Sequence, residues 1–220
     1  MNYYPNITNL LDLYSPTFPI PPNTTFETNG LTGATANDVS GIAAGYQQTT
    51  NNMIGEVAFV CPAYWLAGAF TQSNKTAFQY QYSVPIAHHA ADTWAYFGTP
   101  MPNQGQELAD AMMAMVGSFI NTGNPSISRA IANGPSATDP TADNDASNWP
   151  AWTSARPAFI NMNTTGGTPV PKVASWGTGI QFIGPGLRNY FRAADAYPWE
   201  GGRGKRCDFW RDTSRVKPAG

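Results

Sequence analysis

AFQYQYSVPIAHHAADTWAYFG, residues 77–98, decides how the chain folds and where its chemistry can lie. Residues 77–84 alternate aromatic and polar side chains with period two, the pattern of a half-buried strand. The only two histidines of the chain, His88 and His89, follow its end. A loop just past a strand in an α/β fold is where binding and catalytic groups gather, because the end of the sheet opens onto a crevice. The pair has three readings. One is a general base, which needs a pKa near working pH and a third group to orient its ring; Asp92 stands three residues after His89. Another is an ordinary hydrogen-bonded loop histidine. A metal site comes last, since adjacent histidines point in different directions and no His or Cys cluster supplies further ligands.

Working outward, residues 1–37 are punctuated by Pro5, Pro16, Pro19, Pro21 and Pro22, which leaves a short helix at 8–14 and then an extended surface loop. Asp38 is placed to N-cap a helix through Ile42, Ala43 and Tyr46, and a second helix is predicted over 56–70. Beyond Pro100 and Pro102, Leu108, Met112, Met115 and Phe119 recur at spacings of four, three and four, with Met113 and Val116 widening the stripe. These methionines read as core packing. Gly123 and Pro125 end that helix. Residues 126–150 read as a polar loop, 157–162 as an edge strand, 187–194 as a short helical piece, and a last helix carries Cys207 and Trp210. Strands alternating with helices predict an α/β architecture, and no composition shift marks a domain boundary.

The composition narrows the partners. Of 220 residues, 42% are hydrophobic and 13% aromatic, enough for a sizeable core. Charged residues make up 12% and the net charge is -2, so no basic face is available for nucleic acid or an anionic membrane. The longest apolar run, VAFVCPAYWLAGAF, is broken by Pro62 and by polar-tipped aromatics, and reads as no membrane span. The first residues lack the pattern of a secretory signal. Yet Asn6, Asn23, Asn74 and Asn163 head N-x-[ST] sequons, the acceptor pattern of secreted glycoproteins. Two cysteines, Cys61 and Cys207, are either buried thiols or, in a secreted chain, a disulfide pair.

Four blocks, in order, carry a resemblance. GEVAFVCPAYWLAGAF (55–70) sets a phenylalanine before a Cys-Pro pair, and AFQYQYSV runs into HAADTWAYFG. FINTGNPS (119–126) and NWPAWT (148–153) form the third block, and RCDFW (206–210) the last. Together they resemble the carboxyl-terminal half of the type-B carboxylesterase and cholinesterase family of secreted α/β-hydrolases, the extracellular fungal lipase-like members in particular, over roughly residues 8–212. The resemblance implies an α/β-hydrolase fold represented by its C-terminal portion, the last strands of the central sheet with their packing helices, incomplete alone. Residues 1–220 would then be a single partial domain. Counting back from Phe97-Gly98 makes His89 the catalytic histidine, with Asp92 in the place of the family acid, as a structural group near the site rather than a triad member; the resemblance also implies that Cys61 and Cys207 are partners. Trp94, Tyr96 and Phe97 would line a substrate pocket or pack. Ala90 departs from the pattern, standing where the family usually has glycine.

The chain contains no G-x-S-x-G, and no acid in the family's Glu-Gly context precedes His89. In α/β-hydrolases the triad runs Ser, acid, His along the chain, so this segment holds only the last member. The expectation is a carboxylic ester hydrolase segment, extracellular, inactive as an isolated chain, and acting in a full-length form on a small-molecule or lipid ester with no cofactor. The alternative is a non-catalytic, cholinesterase-like secreted binding or adhesion module. A small independent glycoprotein, like the esterases in structure only, is a third reading. No sequence feature selects an oligomeric state.

Overall fold

A computed structural model describes residues 7–14, 45–73, 75–84, 87, 89–174 and 177–214. Helix α1 (Ile7–Leu13) stands where a short helix is predicted. The expected N-cap at Asp38 lies outside the described residues, but helix is present from Gly45: α2 (Gly45–Gly55) runs through a π-helical turn (Glu56–Val60) into α3 (Cys61–Gln72) without a break. Pro62 explains the turn. A proline lacks the N–H for the ladder and its ring crowds the carbonyl four residues back. Widening the preceding turn relieves both, and the Cys61 N–H bonds the Glu56 carbonyl, five residues away. Residues 49–72 of this helix are, by length and composition, long and apolar enough to cross a membrane. Glu56, in the middle of that stretch, is ion-paired with Arg206 instead.

The strand before the histidines forms as β1, shorter than predicted at Tyr80–Tyr82. A 3-10 turn (Thr93–Phe97) follows, then α4 (Gly105–Thr122), whose Leu108, Met112 and Met115 are buried as the spacing requires. Met113 and Val116 do not widen the buried stripe; both are partly exposed, as is Phe119. Gly123 ends α4 at φ 74, donating its N–H to the Phe119 carbonyl. The stretch 126–150 is more ordered than a polar loop. Ser128 accepts a hydrogen bond from the Ile131 N–H and caps α5 (Arg129–Asn133), and Asn144 caps a 3-10 turn at Asp145–Asn148.

Two strand expectations change. β2 (Ala158–Thr165) is central rather than an edge: it pairs parallel with β1 and antiparallel with β5 (Arg188–Asp195). Pro157 precedes its first residue, where no ladder N–H is needed. The predicted helical piece at 187–194 is β5 itself. Its alanines and arginines favour helix, but eight-residue pairing with β2, from Ala158↔Asp195 to Thr165↔Arg188, overrides that preference. β3 (Thr168–Ala174) and β4 (Gly177–Ile183) form a separate antiparallel pair. Helix α6 (Trp199–Ser214) closes the described fold, with non-helical backbone at Glu200, Gly201 and Gly202.

The three-stranded mixed sheet is covered on both faces. On one, Ile160, Met162 and Phe191 pack against Leu108, Met112 and Met115 of α4. On the other, Phe159 packs with Ala67 of α3 and Trp199 of α6. β1 obeys the same alternation: Gln81 accepts a hydrogen bond from Arg203 of α6 at 2.6 Å, while Tyr80 lies across from Ile160. This is the helix–sheet–helix layering of an α/β fold. Among the described residues, nothing pairs with the outer edge of β1.

Candidate active site

Strand β1 delivers the chain to a turn at residues 89–92. His88 lies outside the described residues. His89 is exposed, and its imidazole lies against the ring of Phe59, with centroids 4.9 Å apart and planes tilted by 36°. Asp92 does not face that imidazole. Its carboxylate accepts hydrogen bonds from the hydroxyls of Tyr80, on β1, and Tyr96, on the following 3-10 turn, the latter at 2.9 Å; the two hydroxyls are also partners of each other. Burial pushes the Tyr96 hydroxyl pKa up to about 12, so the phenol keeps its proton and donates. Asp92 thus ties the turn to β1 and to the following 3-10 turn.

A second tie holds the same turn. Gln104 is buried, and its side-chain N–H2 donates to the Ala91 carbonyl at 2.8 Å and to the Tyr82 hydroxyl at 2.7 Å. Between the ties Ala90 takes φ 65, the left-handed region. That gives a physical reason for the glycine the family usually has here. Left-handed backbone costs an L-residue ~1–2 kcal/mol, and glycine gives back about 0.4–1 kcal/mol through its freer unfolded state. Ala90→Gly should therefore stabilise the chain by roughly 0.5–1 kcal/mol, read as a higher midpoint in urea unfolding at unchanged slope.

Beside the Tyr80–Tyr96 pair a recess of about 180 Å³ opens between β1 and α4, walled by Phe78, Met112, Met115, Phe119 and Trp149. Its walls are almost wholly apolar, so it can hold hydrocarbon and offers little to a charged group.

A model of the carboxylesterase family matches residues 27–174, about two thirds of the chain, from ahead of α2 to the end of β3. The chain belongs to the carboxylesterase family. No curated protein and no solved structure gives a significant match. The matched span of this carboxylesterase-family chain contains β1, His89, Asp92, α4 and β2, and places it among ester hydrolases acting on small-molecule esters.

The remaining predicted residues fall as follows. Cys61 and Cys207 are disulfide-bonded and buried, joining α3 to α6. Asn6, Asn23 and Asn74 lie outside the described residues. Asn163 sits within β2, buried at 2% exposure, its side-chain carbonyl accepting from the Thr164 N–H; a glycan there has no room in the folded sheet. Two features escaped sequence reading. Phe59 meets His89 across thirty positions, and its only trace in the sequence is its place just before the Cys-Pro pair. Glu56 and Arg206 form a buried ion pair, Glu56 one helical turn before Cys61 and Arg206 directly before Cys207.

Proposed function

We propose that this chain supplies His89 as the general base of a serine ester hydrolase, the nucleophilic serine and the triad acid being carried by chain outside these 220 residues. The observation that carries the reading is the place of His89: an exposed imidazole on the turn that follows a parallel strand, inside the span matched by the carboxylesterase family. Two further facts support it. No G-x-S-x-G occurs in the chain, and no described acid is hydrogen-bonded to the His89 ring. Among the described residues nothing pairs with the outer edge of β1, which offers backbone groups for another strand of the same sheet and supports reading residues 1–220 as part of one domain.

In the assembled site His89 accepts the serine proton as the oxygen attacks the ester carbonyl. It then returns that proton to the departing alcohol, and repeats both transfers with water to release the acid. The acid holds the imidazole in the tautomer that leaves the reactive nitrogen open, and backbone N–H groups stabilise the oxyanion. The apolar recess beside β1 favours esters with a hydrocarbon part, lipid esters included. The Cys61–Cys207 disulfide supports an extracellular site of action, since such bonds persist in oxidising compartments.

The test is hydrolysis of a short aryl ester. The purified 220-residue chain should show none above buffer. A longer native product that includes the serine and the acid should turn over, and His89→Ala in it should remove activity by a factor of ~10³ or more. Hydrolysis by the 220-residue chain alone, lost on His89→Ala, would overturn the division of the triad. An active longer product indifferent to His89→Ala would overturn the role of His89.

A further inference from the structure

Phe59 is an exposed phenylalanine, 56% accessible, on the π-helical turn between α2 and α3. That turn is pinned at both ends. At its start the Glu56 carboxylate is buried and takes three hydrogen bonds from the Arg206 guanidinium, at 2.8 Å to Oε2 and at 2.7 and 3.1 Å to Oε1. Just past its end Cys61 is bonded to Cys207. Both anchors reach α6, so the segment that presents Phe59 is held to a rigid helix on either side of it.

The imidazole arrives on a turn that is equally fixed. Ala91 is buried and its carbonyl is held by Gln104. The Thr93 N–H and hydroxyl both donate to the Ala90 carbonyl, and Asp92 is clamped by Tyr80 and Tyr96. An exposed side chain whose backbone is fixed still has χ1 and χ2 free, and each rotamer left open is entropy to be lost before reaction. A flat aromatic surface 4.9 Å from the ring, tilted by 36°, is a stacking partner that selects one orientation.

We infer that Phe59 is a positioning residue for His89: its ring is the wall that orients the imidazole, and the Tyr80–Asp92–Tyr96 clamp holds the turn against that wall. The inference rests on the reading of His89 as the general base, but the contact itself can be tested without activity. In the 220-residue chain carrying His88→Gln, His89 is the single imidazole, and its two carbon-bound ring protons are resolved by NMR. They should show through-space contacts to the Phe59 ring protons. Phe59→Leu should move both signals downfield to the position of an unstructured histidine, Phe59→Tyr should keep them, and Phe70→Leu, an exposed phenylalanine of α3, should not affect them. The Tyr80→Phe/Tyr96→Phe pair should move them partway.

Absent through-space contacts in the parent protein overturn the inference even if Phe59→Leu fails to fold, as do unshifted signals in a folded Phe59→Leu. Unshifted signals in the tyrosine pair remove the clamp from it. In the longer, active product, Phe59→Leu should lower kcat on the order of 10-fold with KM unchanged, and Phe59→Tyr should restore it. Equal kcat in Phe59→Leu overturns the positioning role. A longer product with no hydrolysis at all refutes the ester-hydrolase reading instead, and leaves the NMR result to decide the contact.

Discussion

Glu56→Ala should destabilise the folded chain by on the order of 3–5 kcal/mol, the usual result of removing one partner from a buried ion pair. Glu56 is 5% exposed and Arg206 4%, and their charged groups meet through three hydrogen bonds between 2.7 and 3.1 Å. The Tyr14 hydroxyl donates to the same carboxylate, and Trp210 donates to that hydroxyl at 2.8 Å. Burial and then the Glu56 charge raise the Tyr14 pKa, which keeps this donor protonated. Burial alone would lower the Arg206 pKa, but the hydrogen bonds and charge of Glu56 raise it, so the guanidinium stays charged. Alanine at 56 would leave that charge in the interior with the Glu200 carbonyl, at 2.9 Å, the Glu200 charge and the face of the Tyr14 ring to hold it. Arg203 is the weaker partner of Glu56: its Nε is 3.7 Å from the carboxylate and makes no hydrogen bond.

The measurement is the midpoint of guanidinium unfolding with the disulfide intact. A control separates a stranded charge from a lost contact. Glu56→Met with Arg206→Met removes both charges, and should recover much of the loss, because apolar pairs of similar volume replace buried ion pairs at little cost. A single-variant loss below about 1 kcal/mol, the range of exposed pairs, would mean that Glu56 is not held in the interior as described.

What the sequence reveals and what it conceals divide along physical lines. The α4 helix was legible because Leu108, Met112 and Met115 repeat every turn and Gly123 stops the run, both local signals. The strand leading to His89 was legible for the same reason, though its ladder is only Tyr80–Tyr82, because pairing length depends on the partner and not on the strand alone. β5 was misread as helix: RNYFRAAD has one buried residue, Phe191, so no period of two shows, and its conformation comes from β2. Phe59 and Glu56 were invisible because their partners lie 30 and 150 positions away, and nothing local to either residue records such a contact. Resemblance supplied what periodicity could not. It singled out His89, and one of the departures from the family pattern, Ala90, falls where the backbone takes the left-handed conformation that suits glycine.

Replacing Cys61 and Cys207 together with serine should cost about 5 kcal/mol in the chain-entropy model, since the bond closes 146 residues in the unfolded state. The bond also ties the same two elements as Glu56–Arg206: the helix running through residue 56 into α3, and α6. The two losses should therefore couple. With α3 held to α6 by the disulfide, removing Glu56 strands a charge in a fixed interior. Without the disulfide, α6 can draw away and let water reach Arg206, so the second loss shrinks. The expected result is that Glu56→Ala in the Cys61→Ser/Cys207→Ser background costs at least 1 kcal/mol less than in the parent, within the range seen for residues that share one structural unit. Guanidinium unfolding of the four proteins gives the cycle directly. Additive losses would mean that the helix junction is held independently by each tie. Coupling of the expected sign would make α6 the element on which the π-helical turn, and with it the Phe59 wall beside His89, depends.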